Sequence, residues 1–409
     1  MRPTILIDLD DTLLDNDIRI FLPAYLQALS GELASLAEPQ KVVSTLLAAT
    51  KAMVENRRPD CTLKDVFDVS FYPVLKLDPA LVQSYLDRFY ANNYPALQGL
   101  TRPRPQSIRL VEDAMQRGYR VVIATNPLFP RTAILQRLAW AGLPYDKYPF
   151  DLVTSYETFH FSKPHAAYYA EIMARLGWPD GPVVMLGNDL HNDISPARQL
   201  GLAAFQITGA NQSTQDSLSP YAEAHNPTAA GRLEDFLPWQ DSLSIGSLQP
   251  DYTSPSAMLA TLLSTPAALD SLSRNLVFAD WCIRPTQDEW SPTEILCHLR
   301  DVEREVNLPR LQMVLKEKNP FLPGMDTDPW AEERRYITQS GPHALHKFTA
   351  ARLELLDLLR AASPEDWQRP ARHAIFGPTH LAEIVSIIAG HDRLHIQQFK
   401  QDFDTLSIS

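Results

Sequence analysis

Two carboxylates with a single residue between them, Asp8 and Asp10, stand at the end of a short aliphatic run near the amino terminus. A carboxylate so placed can attack a phosphoryl group, and a second one two positions on can protonate the leaving oxygen. Acids this close repel each other; a divalent cation would relieve the repulsion and shield the nucleophile from the charge of a phosphate. Taken alone, Asp8-Leu9-Asp10-Asp11-Thr12 is equally well a polar turn after a strand. A different chemistry lies far along the chain, where His391 and His395 are four residues apart in a helical pattern and so share one face. With His298, inside another helical pattern, they make a nitrogen-rich set with open positions, suited to zinc, nickel, iron or manganese.

These residues need elements to hold them. Thr4–Leu9 reads as a buried parallel strand, and similar aliphatic runs recur at Tyr119–Ala124, Phe150–Thr154, Pro182–Leu186 and Leu202–Ile207. Helical patterns at Ser107–Arg117, Arg131–Ala141, Ala166–Leu176 and Asp193–Gly201 separate the later ones. The alternation predicts an α/β fold, a doubly wound parallel sheet with ligands at the carboxyl ends of its strands. The helical stretch from Asn16 to Leu100 is too long for a crossover and reads as an inserted cap. From Gln206 to Ser256 the texture turns polar and Pro-rich, broken by one helix-like piece at Gly231–Leu237. Beyond it no strand-like run stands out, and helical periodicity at Ser256–Arg274, Pro292–Lys316, Ala344–Ala362 and Thr379–Phe403 predicts an all-α four-helix bundle. The expected division is a first domain over 1–240, a linker over 241–255 and the bundle over 256–409.

The carboxylate pair has ordered companions. Thr125-Asn126 ends the second strand, Lys163-Pro164 opens a helix, and Gly187-Asn188-Asp189 with Asp193 follows a later strand. In this order and placement residues 1–240 resemble the haloacid dehalogenase-like hydrolases. The resemblance implies that Asp8 is the nucleophile, forming an aspartyl-phosphate, and that Asp10 is the general acid and then base. It implies that Thr125 and Asn126 bind the phosphoryl group and Lys163 stabilises its charge. Magnesium would be held by Asp8, Asp10 and the acids after Gly187. Members of the family usually carry Asp directly after that glycine; here Asn188 stands there, with Asp189 beside it and Asp193 five positions on from Asn188, so whether Asn188 or Asp189 ligates is open. Dehalogenases of the family need no proton donor at the second position, so Asp10 favours ester hydrolysis, and a cap favours a small phosphorylated metabolite as substrate. Phe67, Phe71, Tyr72 and Phe89 in the cap are expected in cap–core packing more than in the cleft.

The histidines also sit in a recognisable string, Glu289-Trp290-Ser291-Pro292 through His298-Leu299-Arg300-Asp301-Val302-Glu303, then His380 and Gly390-His391-Asp392-Arg393-Leu394-His395. This part is similar to the DinB-like four-helix-bundle family, which implies a divalent transition metal on His298, His391 and His395. Some members of that family are enzymes acting with thiols, and many have no assigned activity. Cys297 points away from the ligand next to it and reads as a buried structural residue. Asp301 and Glu303 are expected as exposed helix charges, with an orienting role as the alternative, and His343 and His346 as solvated histidines.

A formal net charge of -12 argues against a nucleic-acid surface. No apolar run is long enough for a membrane span, and with a strand-like run starting at Thr4 no signal peptide is expected. Three scattered cysteines fit a reducing cytoplasm. The expected protein is thus a cytoplasmic magnesium-dependent phosphatase joined to a metal-binding bundle, with a homodimer through the bundle left open. Two other readings compete: a dehalogenase using Asp8 on a carbon–halogen bond, and a non-enzymatic, metal-responsive binding protein with a relict phosphatase domain.

Overall fold

Along Thr4–Ile7 (β1) every residue is buried, as the unbroken aliphatic run requires of a strand covered on both faces. The computed structural model, which describes residues 2–209 and 226–408, continues from β1 through a tight turn into Leu14–Asp15 (β2). Four helices follow, Ile18–Glu32 (α1), Pro39–Glu55 (α2), Leu63–Leu75 (α3) and Pro79–Arg88 (α4). The chain returns as Arg102–Pro103 (β3), antiparallel to β2. This short ribbon, which no sequence signal announces, ties both ends of the helical insert to one place. Local signals set the helix starts: Thr62 and Asp65 form a reciprocal capping box at α3, and Pro39 and Pro79 open α2 and α4, where a missing N–H costs nothing.

The elements that follow are Pro105–Gln116 (α5), Arg120–Ile123 (β4), Arg131–Trp140 (α6), Leu152–Val153 (β5), Ala166–Arg175 (α7), Val183–Gly187 (β6), Ser195–Gln199 (α8), Ala203–Ile207 (β7), Ala229–Gly231 (β8) and Phe236–Asp241 (α9). The sheet runs β5-β4-β1-β6-β7-β8 with every pairing parallel. From β1 the order departs to β4 on one side and β6 on the other, so the carboxyl end of β1 is a topological switch point, where such sheets open a crevice. All five expected strands are present, four of them shorter by a residue or more and β6 shifted by one. β8 lies in the polar segment and was not expected; its three residues carry too little periodicity to read.

Asp193–Gly201, expected as one helix, is a wide turn over Leu190–Ile194 followed by the short α8. Of the polar stretch Gln206–Ser256, residues 210–225 lie outside the described part. Within the described part, Leu248 is buried in the first unit's core. The molecule divides into two compact units, Met1–Tyr169 with Pro179–Asp251, and Ala170–Trp178 with Tyr252–Ser409.

The second unit is built on Pro255–Ser273 (α10), Pro292–Val302 (α11), Leu308–Lys316 (α12), Gly341–Ala361 (α14) and Leu381–Ile408 (α15), with the short Trp330–Glu333 (α13) between α12 and α14. α11 and α12 are one rod interrupted by a wide π-turn at Glu303–Asn307, so four long rods pack together, α10 on α14 and α15, and α11 on the same two. A small sheet of Phe321–Leu322 (β9), Pro370–His373 (β10) and Gly377–His380 (β11) accompanies them. The helical bundle is the one expected; the three strands beside it were not, because strands this short carry no readable period. Among the described residues no helix is long and apolar enough to cross a membrane.

Candidate active site and candidate metal centre

Asp8 leaves β1 with its amide still donating to the Leu186 carbonyl at 2.9 Å, so its side chain stands at the carboxyl edge of the sheet. Asp11 then takes a left-handed backbone conformation, φ 58°, which Asp tolerates better than most residues. The resulting turn lets Leu13 and Leu14 both donate to the Leu9 carbonyl and brings Asp10 round to the same side as Asp8. Both acids line one cavity of about 340 Å³, together with Thr125, Asn126, Lys163, Asn188, Asp189 and Asp193. Every predicted site residue of the first unit is therefore brought together.

Lys163 is the hub. Its buried ammonium donates to Asp8 Oδ1 at 2.7 Å and to Asp193 Oδ1 at 2.6 Å. Burial opposes its charge, but Asp193 and Asp8 outweigh that and raise its pKa. Asp193 reaches this position because Gly187 lies beneath it: a Cβ at residue 187 would collide with the Asp193 carboxylate. The other Asp193 oxygen accepts from the Asp189 amide at 3.0 Å. Burial pushes the Asp8 carboxyl up; Lys163 draws it down, and the charges of Asp193 and Asp10 push it up again.

Asp10 has partners that no local signal announced. Asn16 Nδ2 donates to its Oδ1 at 2.7 Å, and Arg137 of α6 donates to its Oδ2. Arg137 is fully buried and lies over the Phe129 ring. Thr125 is held by its backbone, whose carbonyl accepts from Thr154 Oγ1 and from the Tyr168 hydroxyl, both at 2.7 Å. Asn126 Oδ1 is buried with no hydrogen-bond partner among the described residues.

The two candidates after Gly187 are not alike. The Asn188 amide oxygen accepts from Thr12 Oγ1 at 3.2 Å on the cavity side. Asp189 is exposed, and its carboxylate caps the following turn, accepting from the amides of His191 and Asn192 and from the Asn192 side chain. Oxygen donors from Asp8, Asp10, Asn188 and Asp193, three of them carboxylates against the two cations Lys163 and Arg137, fit a hard divalent ion.

The cap contributes the rest of the cavity. Phe67 and Phe71 line it, although cap–core packing was the preferred expectation, whereas Tyr72 and Phe89 are buried elsewhere. Helical spacing alone does not say which side of a cap helix faces a cleft.

In the second unit, His298 of α11 meets His391 and His395 of α15. Their Nε2 atoms converge, 3.2 Å from His298 to His391 and 3.1 Å from His391 to His395. Nitrogens bound to one ion at about 2.0–2.1 Å lie about 3 Å apart, so the spacing fits a shared transition metal. His395 Nδ1 is 3.1 Å from Gln398 Oε1, which places the proton on Nδ1 and leaves Nε2 as a lone-pair donor. Trp290 lies parallel to the His395 ring. Burial, then the neighbouring imidazoles, pushes His298 down to about 3 and His395 to about 4; burial also lowers His391. The set is thus neutral and ready to ligate at ordinary pH.

α11 begins with a capping box, Ser291 and Glu294 bonding reciprocally around Pro292, and Glu294 also pairs with Arg284. The string Ser291-Pro292-Thr293-Glu294 is therefore a helix start that sets the phase of His298. Asp301 and Glu303, expected on the surface, are both buried. Asp301 accepts from Arg300, Arg334 and the Tyr336 hydroxyl. Glu303 shares the fully buried Arg352 with Asp392, the neighbour of His391. The tertiary pairing, invisible locally, overrode the default for helix charges. Cys297 is buried as expected, and His343 and His346 are exposed as expected.

Comparison with known proteins agrees with this division. Residues 3–201 match the model of the haloacid dehalogenase-like hydrolases, and residues 261–399 match the DinB superfamily. The chain thus carries one segment similar to the haloacid dehalogenase-like hydrolases and, after it, one similar to the DinB superfamily. A protein of Oceanobacillus iheyensis, provisionally named a metal-dependent hydrolase, is 30% identical over 112 residues, 26% of this chain and 61% of its own length. A glyceraldehyde 3-phosphate phosphatase of Methanocaldococcus jannaschii is 28% identical over 110 residues, 26% of this chain and 45% of its own. The chain spans about half the length of the curated relatives it matches. Among solved structures, a phosphatase of the same hydrolase family from Thermococcus onnurineus is 21% identical, with a TM-score of 0.38, covering 59% of this chain and 98% of its own.

Proposed function

We propose that the first unit hydrolyses a phosphomonoester through an aspartyl-phosphate on Asp8, and that the second holds a first-row transition ion on His298, His391 and His395. The observation that carries the first part is the placement of Asp8. It stands at the switch point of the sheet, 2.7 Å from the Lys163 ammonium, in one cavity with Asp10, Thr125 and Asn126. The named phosphatase relatives support the class of substrate, a small phosphorylated molecule.

In this reading Asp8 attacks phosphorus, forming the Asp–O–P bond as the P–O bond to the leaving alcohol breaks. Asp10 gives its proton to the departing alkoxide. Water then attacks the same phosphorus, Asp10 takes a proton from it, and the Asp–O–P bond breaks to release inorganic phosphate and restore Asp8. Lys163 offsets charge on nucleophile and phosphoryl oxygens, while Thr125 Oγ1 and the Asn126 amide orient the group. Magnesium held by Asp8, Asp10, Asn188 and Asp193 would supply charge neutralisation at the phosphate. Asp10 is paired with Arg137 and Asn16, and the first half-reaction requires it to turn from them toward the substrate.

The role of the bundle is binding of a metal that supports or catalyses a related step. The test of the phosphatase reading is acid quenching of the full-length protein during turnover of an aryl phosphate with magnesium. The peptide containing Asp8 should carry one added phosphoryl group, and Asp8→Asn protein should carry none. A phosphorylated peptide elsewhere, or none with wild-type protein that is turning over, rejects the assignment.

A further inference from the structure

Resting on the phosphatase reading, we propose that the substrate is a phosphomonoester with an apolar body, an alkyl or aryl group, and not a sugar phosphate or a phosphorylated hydroxy acid. The cavity that contains Asp8 is sharply divided in chemistry. Every carboxyl and amino side chain along it, Asp8, Asp10, Asp11, Lys163, Asp189 and Asp193, comes from the strand-end loops. The cap adds no charged side chain to the lining at all.

What the cap does add is a continuous hydrocarbon wall. α1 presents Leu22, Leu26 and Leu29, α2 presents Leu46, and α3 presents Phe67 and Phe71. The α1 residues fall at helical spacing, so one face of that helix is given over to the cavity. Phe67 and Phe71 stack on each other with ring centroids 4.9 Å apart, a preformed aromatic surface. The hydroxyls on this wall already have partners, and the one cap amide along the cavity, Asn16, sits at its charged end on Asp10. Thr50 donates to the Leu46 carbonyl at 2.9 Å, and the hydroxyls of Tyr25 and Tyr90 pair at 3.0 Å.

Burying hydroxyls or a second carboxylate against such a wall would strip water from them without replacement, a penalty no binding site accepts without reason. An apolar body gains by the same displacement of water, and about 340 Å³ is within the range that encloses a small organic molecule, roughly 300–1,000 Å³. The phosphoryl group would occupy the charged end and the body would extend along α1.

The experiment uses the full chain with magnesium and follows phosphate release from straight-chain alkyl monophosphates, methyl to octyl, with glycerol 3-phosphate, glucose 6-phosphate and p-nitrophenyl phosphate alongside. The expected result is a kcat/KM that climbs about two- to fourfold per methylene until the wall is covered, with hexyl phosphate well ahead of both polar esters. A flat series, or glycerol 3-phosphate outperforming hexyl phosphate, overturns the proposal while leaving the phosphatase reading intact. Release from none of the esters, p-nitrophenyl phosphate included, overturns both. Leu26→Asn should cut the hexyl-to-methyl ratio about tenfold, chiefly through KM, whereas Leu26→Met should nearly restore it. If Leu26→Asn does not fold, Leu22→Asn serves in its place, and an unchanged ratio in a folded variant overturns the assignment of this wall.

Discussion

The carboxylate cluster of the first unit and the imidazole cluster of the second solve one problem, gathering ligating groups in a buried place, by opposite electrostatic means. Around Asp8 the donors are acids, and the protein holds them together with cations of its own, Lys163 between Asp8 and Asp193, and Arg137 on Asp10. Around His391 the donors are neutral, and burial keeps them so. The charges there lie one layer away, in the Glu303–Arg352–Asp392 network. The first arrangement suits a hard ion and a phosphate that enter and leave; the second suits a softer resident ion held by lone pairs. The difference shows that a metal site's preference is written in how its ligands are kept together as much as in which ligands they are.

The sharpest way to break this comparison is a crossed pair of substitutions. Asp8→Asn should lower aryl phosphate turnover by at least about a thousandfold, as expected for loss of a nucleophile, and leave transition-metal content unchanged. His391→Ala with His395→Ala should abolish that metal content, measured by elemental analysis, with phosphatase activity within about twofold of wild type. If the histidine pair reduces turnover as severely as Asp8→Asn, the two sites are one functional system and the contrast is false.

Next in size is Asp10. Asp10→Asn should cost about 10²–10⁴-fold with an alkyl phosphate and distinctly less with p-nitrophenyl phosphate, whose leaving group needs no proton. It should also destabilise the fold by about 3–5 kcal/mol, because Arg137 is buried and would lose its counter-charge. Adding Arg137→Met should recover much of the melting temperature and none of the activity. Equal losses with both esters would remove Asp10 from the acid role, and an unchanged melting temperature would mean that Arg137 finds another partner.

A third prediction concerns acid and the neutral imidazoles. In metal-free protein His298 and His395 have folded pKa values of about 3 and about 4, below the ordinary 6.5. Their neutral burial therefore favours folding fully above about pH 6.5, and the advantage is lost as pH falls toward those lower values, because the unfolded chain takes up protons first. By pH 5 the loss should be about 2 kcal/mol for His298. Thermal melts of metal-free protein from pH 7.5 to 5 would show it, and His298→Gln should flatten the profile. A wild-type profile already flat would mean that the imidazoles are not buried in neutral form.

The smallest expected effect sharpens the first site. Asn188→Asp adds a charge to the oxygen donor set and should lower the magnesium concentration for half-maximal activity several-fold. Asp189→Ala should change that concentration little and reduce stability by about 1 kcal/mol, the worth of a cap. The reverse outcome would move the ligand to Asp189.

Much of both sites is legible in the chain itself. Asp8, Asp10, Thr125, Lys163 and Asp193 fall at strand ends or turns that aliphatic runs announce, and their order along the chain follows the order of the strands. His391 and His395 are one helical turn apart, so the helix alone makes them neighbours. Ser291, Pro292 and Glu294 start α11 by contacts within four residues. What the sequence by itself determined was local: periodicity, caps, and donors brought to a predictable end or face. Only the tertiary structure decided that Arg137 holds Asp10 across 127 residues, that Arg352 joins Glu303 to Asp392, that Thr12 meets Asn188 across 176 residues, and that Leu22, Leu26, Phe67 and Phe71 make a wall beside the nucleophile. The physical reason is common to all four. Each depends on which face of an element meets a distant partner, and the favourable energy of burial or pairing that selects that face exists only once both partners are in place.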